Sequence, residues 1–152
     1  MLITNETDYA FRLLRSLSDG EKHTMKDLCE KEVVPQQFAY KIIRKLADGG
    51  LVKSTRGVHG GVELICDLKK VSMLDVVEIT ESDRYVTDCM RPGNQCNWMD
   101  KHCEHCTVHR RIYEIQKRLD EEMSKCTIYE MITEGVPEED TPEENASRSR
   151  SA

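Results

Sequence analysis

The sequence predicts a mainly α fold: a winged helix-turn-helix domain with a small β-hairpin wing, followed by a long C-terminal dimerisation helix. Three observations carry that prediction. Short segments with apolar residues three and four apart succeed one another through the first fifty residues. A glycine-rich stretch, STRGVHGG at 54–61, separates two short runs suited to strands. A single apolar stripe then runs along a late segment from Val108 to Met123.

The elements follow in order. Tyr9, Ala10, Leu13, Leu14 and Leu17 recur at helical spacing from Thr7 to Leu17, and Asp19-Gly20 ends that helix. Thr24 and Asp27 form a capping box, in which hydroxyl and carboxylate satisfy free amides, and they open a second helix through Leu28 and Cys29. Pro35 suits the first turn of a third helix, because its ring presets φ where no amide hydrogen is missed. Phe38, Ile42, Ile43 and Leu46 are expected as that helix's buried stripe, and Asp48-Gly49-Gly50 stops it. Leu51-Val52-Lys53 and Val62-Glu63-Leu64 are the strand candidates. Ser72 and Asp75 cap an apolar helix running to about Thr80. Thr127 to Glu130 begins a last short helix.

Helix, helix, turn, helix and hairpin in this order imply a DNA reader. A single helix fits the width of a major groove, and a basic hairpin can reach flanking phosphates or the minor groove. Gln36, Gln37, Tyr40, Lys41 and Arg44 lie off the third helix's apolar stripe and are the candidates for base and phosphate contact. Lys53, Ser54, Arg56 and His59 are the hairpin candidates. Arg56, flanked by Gly57 at the turn, has little to pack against.

A net charge of −6 at first opposes a polyanionic partner. Its distribution softens the objection, because the segment Pro137–Ala152 carries five acidic side chains against Arg148 and Arg150. Lys41, Arg44, Lys45, Lys53 and Arg56 meanwhile cluster with Asp48 as their one acidic neighbour in sequence. No run approaches the roughly 18 apolar residues of a membrane span, and no leader pattern follows Met1, so a cytoplasmic protein without a membrane partner is expected.

Four of the seven cysteines and three of the five histidines fall between Cys89 and His109. In a reducing compartment this clustering points to metal or redox chemistry rather than a disulfide frame. Thiolates are soft, anionic donors suited to iron–sulfur clusters or zinc. An enzymatic C-x-x-C site is disfavoured, since no βαβ pattern accompanies Cys103 and Cys106. A structural zinc and a metal-free thiol switch stay open as alternatives. Cys29, Cys66 and Cys126 read as small buried apolar residues, and Trp98 as a shield for the cysteine site.

The stretches MLITNETDYAFRLLRSL, FAYKIIRKLADGGLVKSTRGVHGGVEL and CTVHRRIYEIQKRLDEEMSKCTIYEMI resemble the Rrf2 family of winged-helix regulators over about residues 1–133. The most specific element is Ser54-Thr55-Arg56-Gly57 followed by Gly60-Gly61. The resemblance implies a homodimeric transcription regulator, usually a repressor, acting on a double-stranded, palindromic DNA operator. In the sensor branches it implies an iron–sulfur cluster held by three cysteines of the loop before the long helix. Cys89 and Cys96 match the first two, and Cys106 with His109 matches the last cysteine and its histidine, while the additional Cys103 leaves the third ligand open between Cys103 and Cys106. All four cysteines, or three with His109 or Asp8, would complete the set. Similarity to the histidine-bearing branch favours a two-iron two-sulfur over a four-iron four-sulfur cluster. A cluster-free repressor controlled by a protein partner is the rival within the family.

The expected organisation is a DNA-binding domain over residues 1–82, a cluster-binding loop over 83–109, a dimerisation helix with a final short helix over 105–133, and a disordered acidic tail over 134–152.

Overall fold

Among the described residues, four helices begin at a hydroxyl. The computed structural model describes residues 3–57, 59–102 and 106–133; the expected tail and Cys103 lie outside them. Its elements are α1 (Asn5–Leu17), α2 (Met25–Glu32), α3 (Gln36–Asp48), β1 (Val52–Thr55), β2 (Gly61–Leu64), α4 (Met73–Thr80), α5 (Asn97–His102), α6 (Thr107–Lys125) and α7 (Ile128–Thr133), with a 3-10 turn at Asp88–Met90. Thr4, Thr24 and Ser72 accept backbone N–H groups of Glu6, Asp27 and Asp75 at the starts of α1, α2 and α4. Thr127 does the same for α7, accepting from Glu130 N at 3.2 Å while the Glu130 carboxylate takes Thr127 N.

Helices α1 to α4 enclose the core. Leu13, Leu14, Leu17, Leu28, Ile42, Leu46 and Val76 are completely buried there, by far the largest favourable contribution to folding. The expected stripe of α3 needs one correction. Ala39, not Phe38, faces the core; Phe38 is 41% exposed and packs its ring 6.1 Å from Tyr9. Positions 39, 42, 43 and 46 cluster around one direction of a 3.6-residue helix, whereas position 38 falls on its rim beside α1.

Strands β1 and β2 pair antiparallel, with Val52 opposite Leu64 and Thr55 opposite Gly61. Each is shifted or extended slightly from the sequence expectation. A bridge between His23 and Val62 ties the hairpin to the start of α2, through N–H to carbonyl bonds of 3.0 and 2.8 Å. The turn needs glycine at two places: Gly57 has φ +109°, and a Cβ at Gly60 would lie 2.4 Å from the Thr55 carbonyl oxygen.

The end of α6 is stitched to the start of α4. Met73 N donates to Cys126 O and Ile128 N to Val71 O, each at 2.8 Å, while Met123 and Ile128 are buried. Of the apolar stripe on α6, Met123 enters the core and Leu119 packs against it, whereas Val108 and Ile115 are more than half exposed. Among the described residues no helix is long and apolar enough to cross a membrane.

Candidate functional site

Helix α3 and the hairpin frame a cleft of about 840 Å³, lined by Tyr40 and Arg44 on one side and Ser54, Arg56 and Gly57 on the other. At 100° per residue, Gln36, Tyr40, Arg44, Gln37 and Lys41 fall within about 140° of the helix circumference. All five are exposed, as are Lys53, Ser54, Arg56 and His59. The nine residues assigned to DNA from sequence are all unburied and polar, and four of them, Lys41, Arg44, Lys53 and Arg56, are cationic. Pro35 caps α3 without a side-chain hydrogen bond, so the first amides of that helix stay available to an anion.

The cations are not equally free. Arg56 has no ion-pair partner among the described residues, and Arg44 and Lys53 stand 4.0 Å from Asp48 and Glu63. Lys41 is closely engaged, its ammonium 2.9 Å from Glu6 on α1.

The cysteine segment is not a featureless loop. Cys89 lies in the 3-10 turn with its sulfur 3.0 Å from Thr87 Oγ1. The Cys96 carbonyl accepts Asp100 N at 3.0 Å and so opens α5. Cys106 caps α6, its sulfur accepting the His109 backbone N–H at 3.3 Å. The sulfur thus sits at the N-terminus of α6, where the first backbone amides point. Beside it, His109 Nδ1 is buried and has no hydrogen-bond partner among the described residues, and both residues line a cavity of about 310 Å³ with Met99, Arg110 and Tyr113. Among the described residues no three Cys, His, Asp or Glu side chains converge on a common point suited to a metal. Asp8 is paired with Arg12 at 2.7 Å on α1. Trp98, expected over the cysteines, stacks on His102 at 4.5 Å and is 44% exposed. Cys29 and Cys66 are half-buried against the core, and burial pushes both thiols above their ordinary range.

Residues 3–134 match the Rrf2 family, described as iron-dependent transcriptional regulators. The chain belongs to the Rrf2 family. The members of that family are described as transcriptional regulators, not enzymes. Among Rrf2-type relatives, the HTH-type transcriptional regulator NsrR of Bacillus subtilis (strain 168) is 33% identical over 92 residues, covering 59% of this chain and 63% of that protein. The chain thus spans less than two thirds of that relative's length. Two solved structures share the Rrf2 chain's fold. CymR, the global cysteine regulator of B. subtilis, superposes with a TM-score of 0.68 at 16% identity, covering 90% of this chain and 99% of its own. IscR of T. potens superposes with a TM-score of 0.64 at 16% identity, covering 93% of each chain.

In this Rrf2 chain a polar network that sequence reading missed moors the cysteine segment to α6. Gln116, only 4% exposed, accepts Val86 N and donates to Asp120 Oδ1, each at 2.8 Å. Asp120 in turn pairs with Arg84 at 2.8 Å, and Arg84 reaches back to Glu78 of α4 at 3.0 Å. Arg91 pairs with Asp83 and Asp88 to close the base of the segment. The one signal available in sequence was a glutamine on the apolar side of α6.

Proposed function

We propose that this Rrf2 regulator acts as a homodimeric repressor on a palindromic DNA operator, and that an iron–sulfur cluster on its cysteine segment sets how it binds. Gln36 and Gln37 read base edges, Tyr40 and Arg44 make base or phosphate contacts, and Lys53, Ser54, Arg56 and His59 hold the flanking backbone. The exposed Val108 and Ile115 on α6 support a second copy of the chain as their cover.

The observation that carries the cluster reading is the pairing at the start of α6: a half-buried sulfur at the helix N-terminus beside an imidazole nitrogen that is buried with no partner among the described residues. Such a nitrogen costs about 1–3 kcal/mol unless something binds it. The donor set fits a cluster in kind. Cys89, Cys96 and either Cys106 or Cys103 would hold it, with His109, Asp8 or the fourth cysteine completing the set, and two iron atoms are favoured. Bound there, the cluster would supply a redox- and nitric-oxide-reactive centre. The chain's own residues transmit its state: Cys106 fixes the first turn of α6, and Gln116 and Arg84 join that helix to the segment and to α4.

Anaerobic purification with iron and sulfide counting tests this reading, in the parent and in Cys103→Ala and Cys106→Ala. Coloured protein carrying iron and sulfide, bleached by loss of a ligand and altered in operator affinity, is the expected result. Colourless protein that still binds its operator normally would leave a cluster-free repressor, with zinc content and thiol titration then separating a structural metal from a thiol switch.

A further inference from the structure

We infer that Glu6 acts as an internal phosphate mimic, holding Lys41 away from non-specific DNA so that α3 depends on its base-reading side chains rather than on bulk charge. The inference rests on the reading of α3 as the DNA-contacting helix.

Glu6 stands between two lysines of that helix. Its Oε2 is 2.9 Å from the Lys41 ammonium, and its buried Oε1 is 2.7 Å from that of Lys45. Lys45 is fixed from the other side, because it also donates to the Thr80 carbonyl at the end of α4. The turn that carries Glu6 is fixed as well. Glu81 accepts from Thr4 N at 2.9 Å, from Thr4 Oγ1 at 2.7 Å and from Thr7 Oγ1, clamping the start of α1 onto α4. The carboxylate is therefore a held anion, its side chain 17% exposed, with each oxygen facing one ammonium.

The same geometry sets the competition. Burial would raise the Glu6 carboxyl, but hydrogen bonding and charge from Lys45 and Lys41 outweigh it and hold the group below its ordinary value, so it is ionised at neutral pH. Handing Lys41 to a DNA phosphate would leave a mostly buried carboxylate with one cation in place of two. A backbone phosphate in a non-specific complex is solvated and must be brought up from solution, whereas Glu6 is already in contact. Arg44, Lys53 and Arg56, with loose partners or none, remain as the cations of this face that a phosphate can take.

This differs from the sequence expectation, in which Lys41 counts among the DNA contacts. Fluorescence anisotropy of the full chain on a labelled duplex of scrambled sequence, across a range of salt, decides the matter. Lys41→Gln alone is expected to leave affinity within about twofold and the salt slope unchanged. Glu6→Gln frees Lys41, and the slope should steepen by about 0.9 per protomer bound, with roughly an eightfold gain in affinity at 0.1 M salt. Adding Lys41→Gln to Glu6→Gln should remove that gain. A fall in slope of about 0.9 for Lys41→Gln alone would overturn the inference, since Lys41 would already sit on phosphate. So would weaker binding or an unchanged slope in folded Glu6→Gln. Should Glu6→Gln not fold, Lys41→Gln still decides, because its side chain is 61% exposed. Absence of duplex binding by every variant would overturn the DNA reading itself and this inference with it.

Discussion

The backbone N–H of His109 donates to the sulfur of Cys106 across 3.3 Å, so the atom that starts α6 is also the one a soft metal would claim. Two roles on one atom can be separated by substitution. Cys106→Ser keeps an acceptor at the cap, while Cys106→Ala removes it and should cost about 0.5–1 kcal/mol of stability. With Cys106 as the third ligand both should lose iron from anaerobically purified protein, and with Cys103 in that place both should keep it. Thermal melts beside metal analysis check the pair, and equal melting of the two variants would argue that the cap contributes nothing.

Gln116 is expected to be the most sensitive polar residue of α6. Gln116→Leu leaves Val86 N–H without its acceptor and should destabilise by about 1–3 kcal/mol. Hydrogen exchange should report the loss first at the Val86 amide and next along residues 84–91. Unchanged protection there would mean the segment is held by other contacts.

Acid should weaken the α1–α2 packing through Glu32. Its side chain is 3% exposed and pairs with Arg15 and Ser16. Burial raises this carboxyl, but hydrogen bonding from Arg15 and Ser16 and the Arg15 charge hold it below its ordinary value. A lowered folded-state value means the stabilisation is complete above the unfolded value, roughly pH 4.3, and fades as pH falls through the lower folded one. Denaturant midpoints taken from pH 6 down to 3 should show this slope in the parent and a shallower one in Glu32→Gln.

Wing and recognition helix should fail differently. Arg56→Ala removes a phosphate contact, so affinity should drop by a similar factor on every sequence and the salt slope should fall by about 0.9 per protomer. Gln37→Ala should instead relax preference at one operator base pair, at about 1–3 kcal/mol, with the slope kept. Binding selections on randomised duplexes, followed by salt titration, distinguish the two.

Val33 ends α2 with φ +53°, a conformation that glycine usually supplies, and its side chain is 78% exposed. A β-branched residue is strained there, and little packing is lost by removing it. Val33→Gly should therefore stabilise the fold by about 0.5–1 kcal/mol in denaturant unfolding. Destabilisation would show that the exposed methyls contribute to the turn.

Local chemistry made the framework legible in sequence. Thr24 with Asp27, Ser72 with Asp75 and Thr127 with Glu130 located three helix starts, because a capping box is written within four residues. The glycines of 57–61 located the wing for the same reason. Helix α1 starts at Asn5, ahead of the expected Thr7, because Asn5 and Glu6 carry no apolar signal. Phe38 carries the hydrophobicity of a core residue, but its angular position puts it on the rim of α3, where it is 41% exposed. In the candidate site, the exposed face of α3 follows from spacing of three and four residues, whereas Cys106 and His109 are paired by the family resemblance. The links Glu6–Lys41, Glu81–Thr4 and Gln116–Val86 span 30 residues or more and leave no periodic trace. Helix α5 is six residues long and offers too little pattern to be read at all.

The junction of α6 with α4 makes the long helix a cantilever. It is gripped from Gln116 to Met123, and the nine residues ahead of Gln116 overhang by about 14 Å at 1.5 Å per residue. A tilt of about 10° at the grip moves the sulfur-bearing tip by roughly 2.4 Å over that length. Small rearrangements at the tip and at the grip are thus related by leverage, and a displacement arriving at the root next to α4 is reduced in amplitude but carried by the most rigid part of the beam.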